Sequence, residues 1–151
     1  MATHVRYAIE EWGVGELVYE DGLLVWHELP RPGGRASGDD ALAQRLQAYF
    51  GGERVSFDHI PLDLEWCSPF QRDVLDVMRG IPYGETATYG EVAALAGRPN
   101  AQRAVGSFCA GNHFPILVPC HRVVAADGLG PYGSLGQGYK RRLLELEGAV
   151  L

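Results

Sequence analysis

"TYGEVAALAGRPNAQRAVGSFCAG", residues 88–111, decides how the surrounding chain folds. Thr88 followed three residues later by Glu91 is a capping box, and the apolar run behind it reads as a short helix that Gly97 stops. Gly97-Arg98-Pro99 is a tight turn, after which Asn100 is expected to cap a second helix, "AQRAVGSFCA", closed by Gly111. Two capped helices joined in this way form a helix-turn-helix. Many helical hairpins share that pattern and bind nothing, so fold alone does not settle function. The second helix is unusual in its outward candidates: Ala101, Gln102, Ala104, Gly106 and Ser107 are small or neutral beside the single charge of Arg103. Small residues allow a helix backbone to approach closely, which the narrow minor groove of DNA demands and the wide major groove does not. Contact of that kind reads shape and backbone more than base sequence.

Upstream, "SPFQRDVLDVMRG" (68–80) has the same grammar, with Ser68 as cap, Pro69 at the first helical position, Gln71 completing a capping box and Gly80 as stop. Earlier still, residues 6–29 read as two or three antiparallel strands, broken at Gly13-Val14-Gly15 and at the hairpin signal Asp21-Gly22. "DDALAQRLQAYF" (39–50) predicts a helix with Leu42, Leu46, Tyr49 and Phe50 on one face. "VSFDHIPLDLEW" (55–66) reads as a further extended segment running into a linker. The whole is an α+β chain, with a small N-terminal lobe over 1–66 and a mainly helical domain over 67–151.

Composition is that of an ordinary globular protein, 46% hydrophobic and 21% charged over 151 residues. No apolar run is long enough for a membrane span and the N-terminus does not read as a signal peptide, so a cytoplasmic protein with no membrane association is expected. Cys67, Cys109 and Cys120 show no metal-ligand spacing, and no metal is expected. Net charge is −6, which by itself disfavours nucleic acid. The charge is uneven, however: residues 1–66 hold five Lys/Arg against twelve Asp/Glu, and 67–151 hold eight against seven. A polyanion would be met by the second part.

Downstream of the helix pair lies "VPCHRVV" (118–124), a thiol, an imidazole and a guanidinium in an apolar run. A free thiol is only a few per cent ionised at pH 7, so Cys120 as a nucleophile needs a group to take its proton. His121 is next in sequence, but neighbours in an extended segment point to opposite faces. A turn at Pro119-Cys120, or a bridging water, is required for the pair to cooperate. The plain alternative is a core cysteine beside a satisfied buried histidine. A base also needs an orienting group, and the late helix "QGYKRRLLELEG" (137–148) offers Glu145 and Glu147 near its C-terminal end, where a carboxylate is unfavourable unless paired. Arg122 reads as a structural charge, because buried arginines pair.

Taken together, "FQRDVL", "IPYGETATYGEVAALAG", "RAVG", "GN", "PILVPCHRVV", "DG", "YG" and "LLELEG" occur here in the order and spacing of the O6-alkylguanine-DNA alkyltransferases, which the stretch 70–148 resembles. The N-terminal half is similar only in outline to that family's ribonuclease-H-like lobe, whereas the second half, which carries these motifs, resembles its winged-helix-like domain. The resemblance implies repair of double-stranded DNA containing O6-alkylguanine by a protein monomeric in solution, with cooperativity on DNA left open. By the same resemblance the alkyl group passes irreversibly to Cys120, without a cofactor, after the nucleotide is flipped out. O4-alkylthymine is a second candidate substrate. His121 would accept the thiol proton through a water, with Glu147 orienting it and Asn112 tying the recognition helix to the active-site segment. Arg103 would fill the gap left in the duplex, Tyr89 would crowd the target phosphate, and Ala104 and Gly106 would lie against DNA. Val123, Tyr132, Ser134, Pro115 and Cys109 are the implied base-pocket residues. The chain departs from the family at His113, where Asn-Pro is common, which removes a restraint on the hinge. Two other functions compete: a non-catalytic lesion sensor, which would lack the acceptor cysteine, and a cysteine hydrolase, which would turn over.

Overall fold

The computed structural model describes all 151 residues, which divide into two compact units. Met1–Asp63 with His113–Pro115 form the first, and Leu64–Asn112 with Ile116–Leu151 the second. A single linear break does not capture this. His113–Pro115 join the first unit because the His27 N–H donates to the His113 carbonyl at 2.8 Å and His27 Nδ1 lies 2.7 Å from the Pro115 carbonyl.

The first unit is built on an antiparallel sheet of order β1-β2-β3: β1 Ala2–Ile9, β2 Gly13–Glu20 and β3 Leu23–Arg31. Asp21 and Gly22 both take positive φ (51° and 79°), as a two-residue hairpin turn requires. The expected break at Gly13–Gly15 falls instead at Glu10–Trp12, and both glycines lie inside β2. Gly15 is there for packing: a Cβ would sit 2.5 Å from the Tyr7 ring. Helix α1, Ala41–Phe50, is capped by Asp40 accepting from the Ala43 N–H at 2.7 Å. It buries Leu42, Leu46, Tyr49 and Phe50 with Tyr7, Leu17 and Leu24, each apolar side chain contributing about 1.5–3 kcal/mol. Residues 55–66 form no strand; Leu62 makes one isolated bridge to Leu24.

The second unit contains α2 (Pro69–Arg79), β4 (Ala87–Thr88), α3 (Tyr89–Leu95), α4 (Gln102–Ala110), a 3-10 turn (Cys120–Arg122), β5 (Val123–Val124) and α5 (Gly136–Leu146). Both capping boxes form: Ser68 with Gln71, and Thr88 with Glu91. Asn100 does not cap α4. It takes φ 73°, and Ala101 occupies the cap position with no side-chain bond. Asparagine tolerates the left-handed region well, and here that tolerance closes the turn between α3 and α4 rather than supplying a cap. Val74, Leu75, Met78, Val92, Ala93, Val105, Phe108, Leu143 and Leu144 make the core, with Trp66 stacked on Phe108 at 5.8 Å. β4 and β5 pair in parallel, Ala87 with Val123 and Thr88 with Val124, so the start of α3 is tied directly to the segment after Cys120.

Candidate active site

The Cys120 segment is not extended. Pro119 has φ −81° and ψ 65°, an inverse γ-turn closed by the Cys120 N–H on the Val118 carbonyl at 2.8 Å. The 3-10 turn follows, its first bond running from the Arg122 N–H to the Pro119 carbonyl at 2.9 Å. These two turns are what a strand reading of the segment lacks, and they remove the objection that neighbouring side chains must diverge.

Cys120 is 4% exposed. The Asn112 amide donates both to its sulfur, at 3.1 Å, and to the Val118 carbonyl, at 2.8 Å. Burial pushes the thiol upward, while the Asn112 bond, the Lys140 charge and the Tyr132 hydroxyl all favour the thiolate without outweighing it. The resting sulfur is therefore a protonated thiol, and its reactivity depends on a base.

The next residue in the chain is the candidate base. His121 is wholly buried, and its Nε2 lies 2.7 Å from Glu147 Oε2. Burial alone would raise the Glu147 carboxyl, but hydrogen bonds from His121 and Arg122 and the charge beside them hold it well below the usual range. An ionised carboxylate only accepts, so Nε2 carries the hydrogen. Burial lowers His121, which is neutral, and Nδ1 is then the basic nitrogen. Glu147 stands at the C-cap of α5, where the helix dipole disfavours it. Arg122 compensates, donating from Nε to Oε1 at 2.9 Å and from a terminal nitrogen to Oε2 at 3.0 Å, while its other terminal nitrogen holds the Ile81 carbonyl. The Gly84 N–H adds a fourth donor to the carboxylate at 3.2 Å. Arg122 is thus the brace that keeps Glu147 charged. Glu145 is exposed.

Tyr89 opens α3, with burial and the neighbouring Cys109 and Cys120 sulfurs pushing its hydroxyl up to about 12. Cys109 is half-buried, its sulfur 3.8 Å from that of Met78, and burial raises its thiol further. On α4, Arg103 and Ala104 are exposed and Gly106 half-buried. Val123 and Tyr132 are buried, Ser134 is exposed, and Pro115 belongs to the first unit.

Lys140 escaped the sequence reading. It is fully buried, its ammonium 2.7 Å from the Val123 carbonyl, 3.3 Å from that of Pro131 and 5.6 Å from the Tyr89 ring centre. A signal existed: positions 140, 143, 144 and 147 share one helical face, so a lysine stands in the core stripe of α5. Burial lowers its pKa, and the cysteine sulfurs partly restore it.

What these residues define is a class of protein in which a buried cysteine, followed by a histidine paired with a glutamate, lies in one unit with a helix-turn-helix. Comparison with known proteins narrows the class. The profile of "6-O-methylguanine DNA methyltransferase, DNA binding domain" matches residues 69–149, and the chain belongs to that family. It is 48% identical over 110 residues to the methylated-DNA–protein-cysteine methyltransferase of Methanopyrus kandleri, covering 73% of this chain and 81% of that protein. With the same-named protein of Mycolicibacterium paratuberculosis it shares 46% over 130 residues, 85% and 73% of the two chains. The crystal structure of Mycobacterium tuberculosis O6-methylguanine methyltransferase superposes with TM-score 0.81 at 35% identity, covering 97% and 93% of the chains. A structure of the M. tuberculosis protein in complex with DNA gives TM-score 0.81 at 36% identity, covering 96% and 92%.

Proposed function

We propose that this protein repairs double-stranded DNA directly, moving the alkyl group of O6-alkylguanine onto Cys120. An alkyl carbon on guanine O6 cannot be reached within the base stack, so the nucleotide leaves the duplex, at a cost of a few kcal/mol that a damaged pair reduces. Ala104 and Gly106 let α4 lie close to the backbone, Arg103 occupies the vacated space, and Tyr89 turns the nucleotide outward. Val123, Tyr132, Ser134 and Cys109 line the pocket.

In the transfer step Cys120 Sγ forms a bond to the alkyl carbon as the carbon–O6 bond breaks. The thiol proton passes through a bridging water to His121 Nδ1; the guanine leaves as an anion that takes a proton from solvent water, and the imidazolium returns its proton to solvent, so that one proton is released and one taken up. Glu147 stabilises the imidazolium, and Lys140 and Asn112 stabilise the developing thiolate. The product is a thioether that nothing in the site cleaves, so each molecule acts once. O4-alkylthymine, with the same alkyl–oxygen bond, is a second substrate. In solution the protein is a monomer, and cooperative binding on DNA remains open to it.

The observation that carries this reading is the buried His121–Glu147–Arg122 set adjoining the Cys120 thiol. A lesion sensor that only binds would lack the acceptor cysteine, which is present here as Cys120. Incubation with a duplex containing O6-methylguanine, followed by peptide mass mapping, tests it: one methyl on the Cys120 peptide is expected. An unmodified Cys120 with the lesion intact would refute it.

A further inference from the structure

His27 is a buried imidazole to which the transfer chemistry assigns nothing. It is 1% exposed, in the middle of β3. A carbonyl only accepts, so at Pro115 it is Nδ1 that carries the hydrogen, and Nε2 accepts from the Tyr7 hydroxyl at 2.5 Å. Burial lowers the imidazole to about 4, so it stays neutral in that one tautomer. With the His27 backbone N–H on the His113 carbonyl, one residue grips both ends of the three-residue strap His113–Pro115. The Trp26 ring lies 5.0 Å from the His113 ring, and Phe114 is fully buried. An apolar residue could fill the position of His27 with no polar atoms to satisfy; the ring bonds are directed at the strap instead.

Two features of the adjoining chain give that grip a consequence. Ile116, immediately after the strap, has φ 73°, a conformation that a β-branched residue holds only under restraint. Asn112, immediately before it, divides its amide between the Val118 carbonyl and the Cys120 sulfur. The proline that would stiffen position 113 is absent.

We propose that His27 is a positioning residue for alkyl transfer: by clamping His113 and Pro115 it fixes the exit of the chain from Asn112 and keeps that amide on the Cys120 sulfur. This rests on Cys120 being the acceptor.

The test compares the full-length protein with His27→Leu and His27→Asn. Measured are single-turnover transfer from a duplex containing O6-methylguanine, affinity for undamaged duplex, and the pH midpoint of Cys120 alkylation by iodoacetamide, read on its peptide. His27→Leu should slow transfer about tenfold and move the pH midpoint upward with duplex affinity unchanged. His27→Asn, whose amide can donate where Nδ1 did, should recover most of the rate. A His27→Leu protein with the parent rate and midpoint, corrected for folded fraction, would overturn the proposal. Should that variant fail to fold, Tyr7→Phe, which frees the tautomer, should shift both readouts in the same direction, and unchanged values would overturn it equally. Absence of transfer in the parent protein would refute the repair function instead, which the iodoacetamide midpoint does not depend on.

Discussion

Glu147 carries the largest single electrostatic burden, because three side-chain nitrogens and one backbone N–H converge on a carboxylate at the wrong end of its helix. Glu147→Gln keeps the shape but leaves Arg122 without its counter-charge and His121 without the anion that stabilises its protonated form. Transfer should slow by about two orders of magnitude, and urea denaturation should show a loss of about 3 kcal/mol. Lys140→Met retains the buried stem and removes the cation; the pH–rate curve for transfer should move to higher pH, because the thiolate loses a favourable charge. Stability has its own pH signature. His27 and His121 are both held neutral by burial, so below about pH 6.5 the unfolded chain binds protons that the folded protein refuses, and stability falls with pH. For His27, with a folded value of about 4, the loss reaches roughly 3 kcal/mol near pH 4. Glu147 adds to it at lower pH: its contribution is present above about pH 4.3 and is lost as acid protonates the unfolded carboxyl first. Denaturation at pH 8 and at pH 4.5 should show the fall, and His27→Asn should flatten it.

At the level of elements, the helices were legible wherever side-chain chemistry marks their ends. Ser68 with Gln71 and Thr88 with Glu91 carry their hydrogen-bonding logic in residue type and spacing, and both boxes form. Thr88→Ala should cost about 1 kcal/mol, measurable by chemical denaturation. Asn100 misled because asparagine suits both a cap and a left-handed turn, and the choice depends on where α4 packs against α3. The turns at Pro119 and Cys120 depend on a γ-turn conformation that any proline in an apolar run can hide. Gly106 offers a test of the DNA contact proposed for α4. A Cβ there meets nothing within 4 Å, so the helix itself does not require glycine. Gly106→Leu should leave thermal stability intact or raised, since glycine costs a helix roughly 1 kcal/mol, while weakening duplex binding at least about tenfold through lost close approach. Equal affinity in a fluorescence titration would remove Gly106 from the DNA-facing surface.

Across the whole molecule, residue types able to carry chemistry are easier to mark in a sequence than the tertiary partners they meet. Cys120, His121 and Glu147 were singled out through the family resemblance, since the residues alone left open a core cysteine beside a satisfied histidine and a choice between Glu145 and Glu147. Lys140 and the strap at His113–Pro115 were not, because a buried cation or histidine declares itself only through the carbonyls it finds, and those lie far away in sequence. The uneven charge distribution belongs to this scale as well: the acidic excess is concentrated in residues 1–66, leaving the helix-turn-helix region close to neutral. Binding to undamaged duplex should therefore be modest and should weaken with salt along a shallow slope. The central claim is that one sulfur accepts one alkyl group and keeps it. Radiolabelled methyl transferred from excess O6-methylguanine duplex should plateau at one per protein molecule, all of it on the Cys120 peptide, with no further lesion repaired on prolonged incubation. Continued loss of lesion beyond that equivalence, or a plateau of label on Cys109 or Cys67, would contradict it.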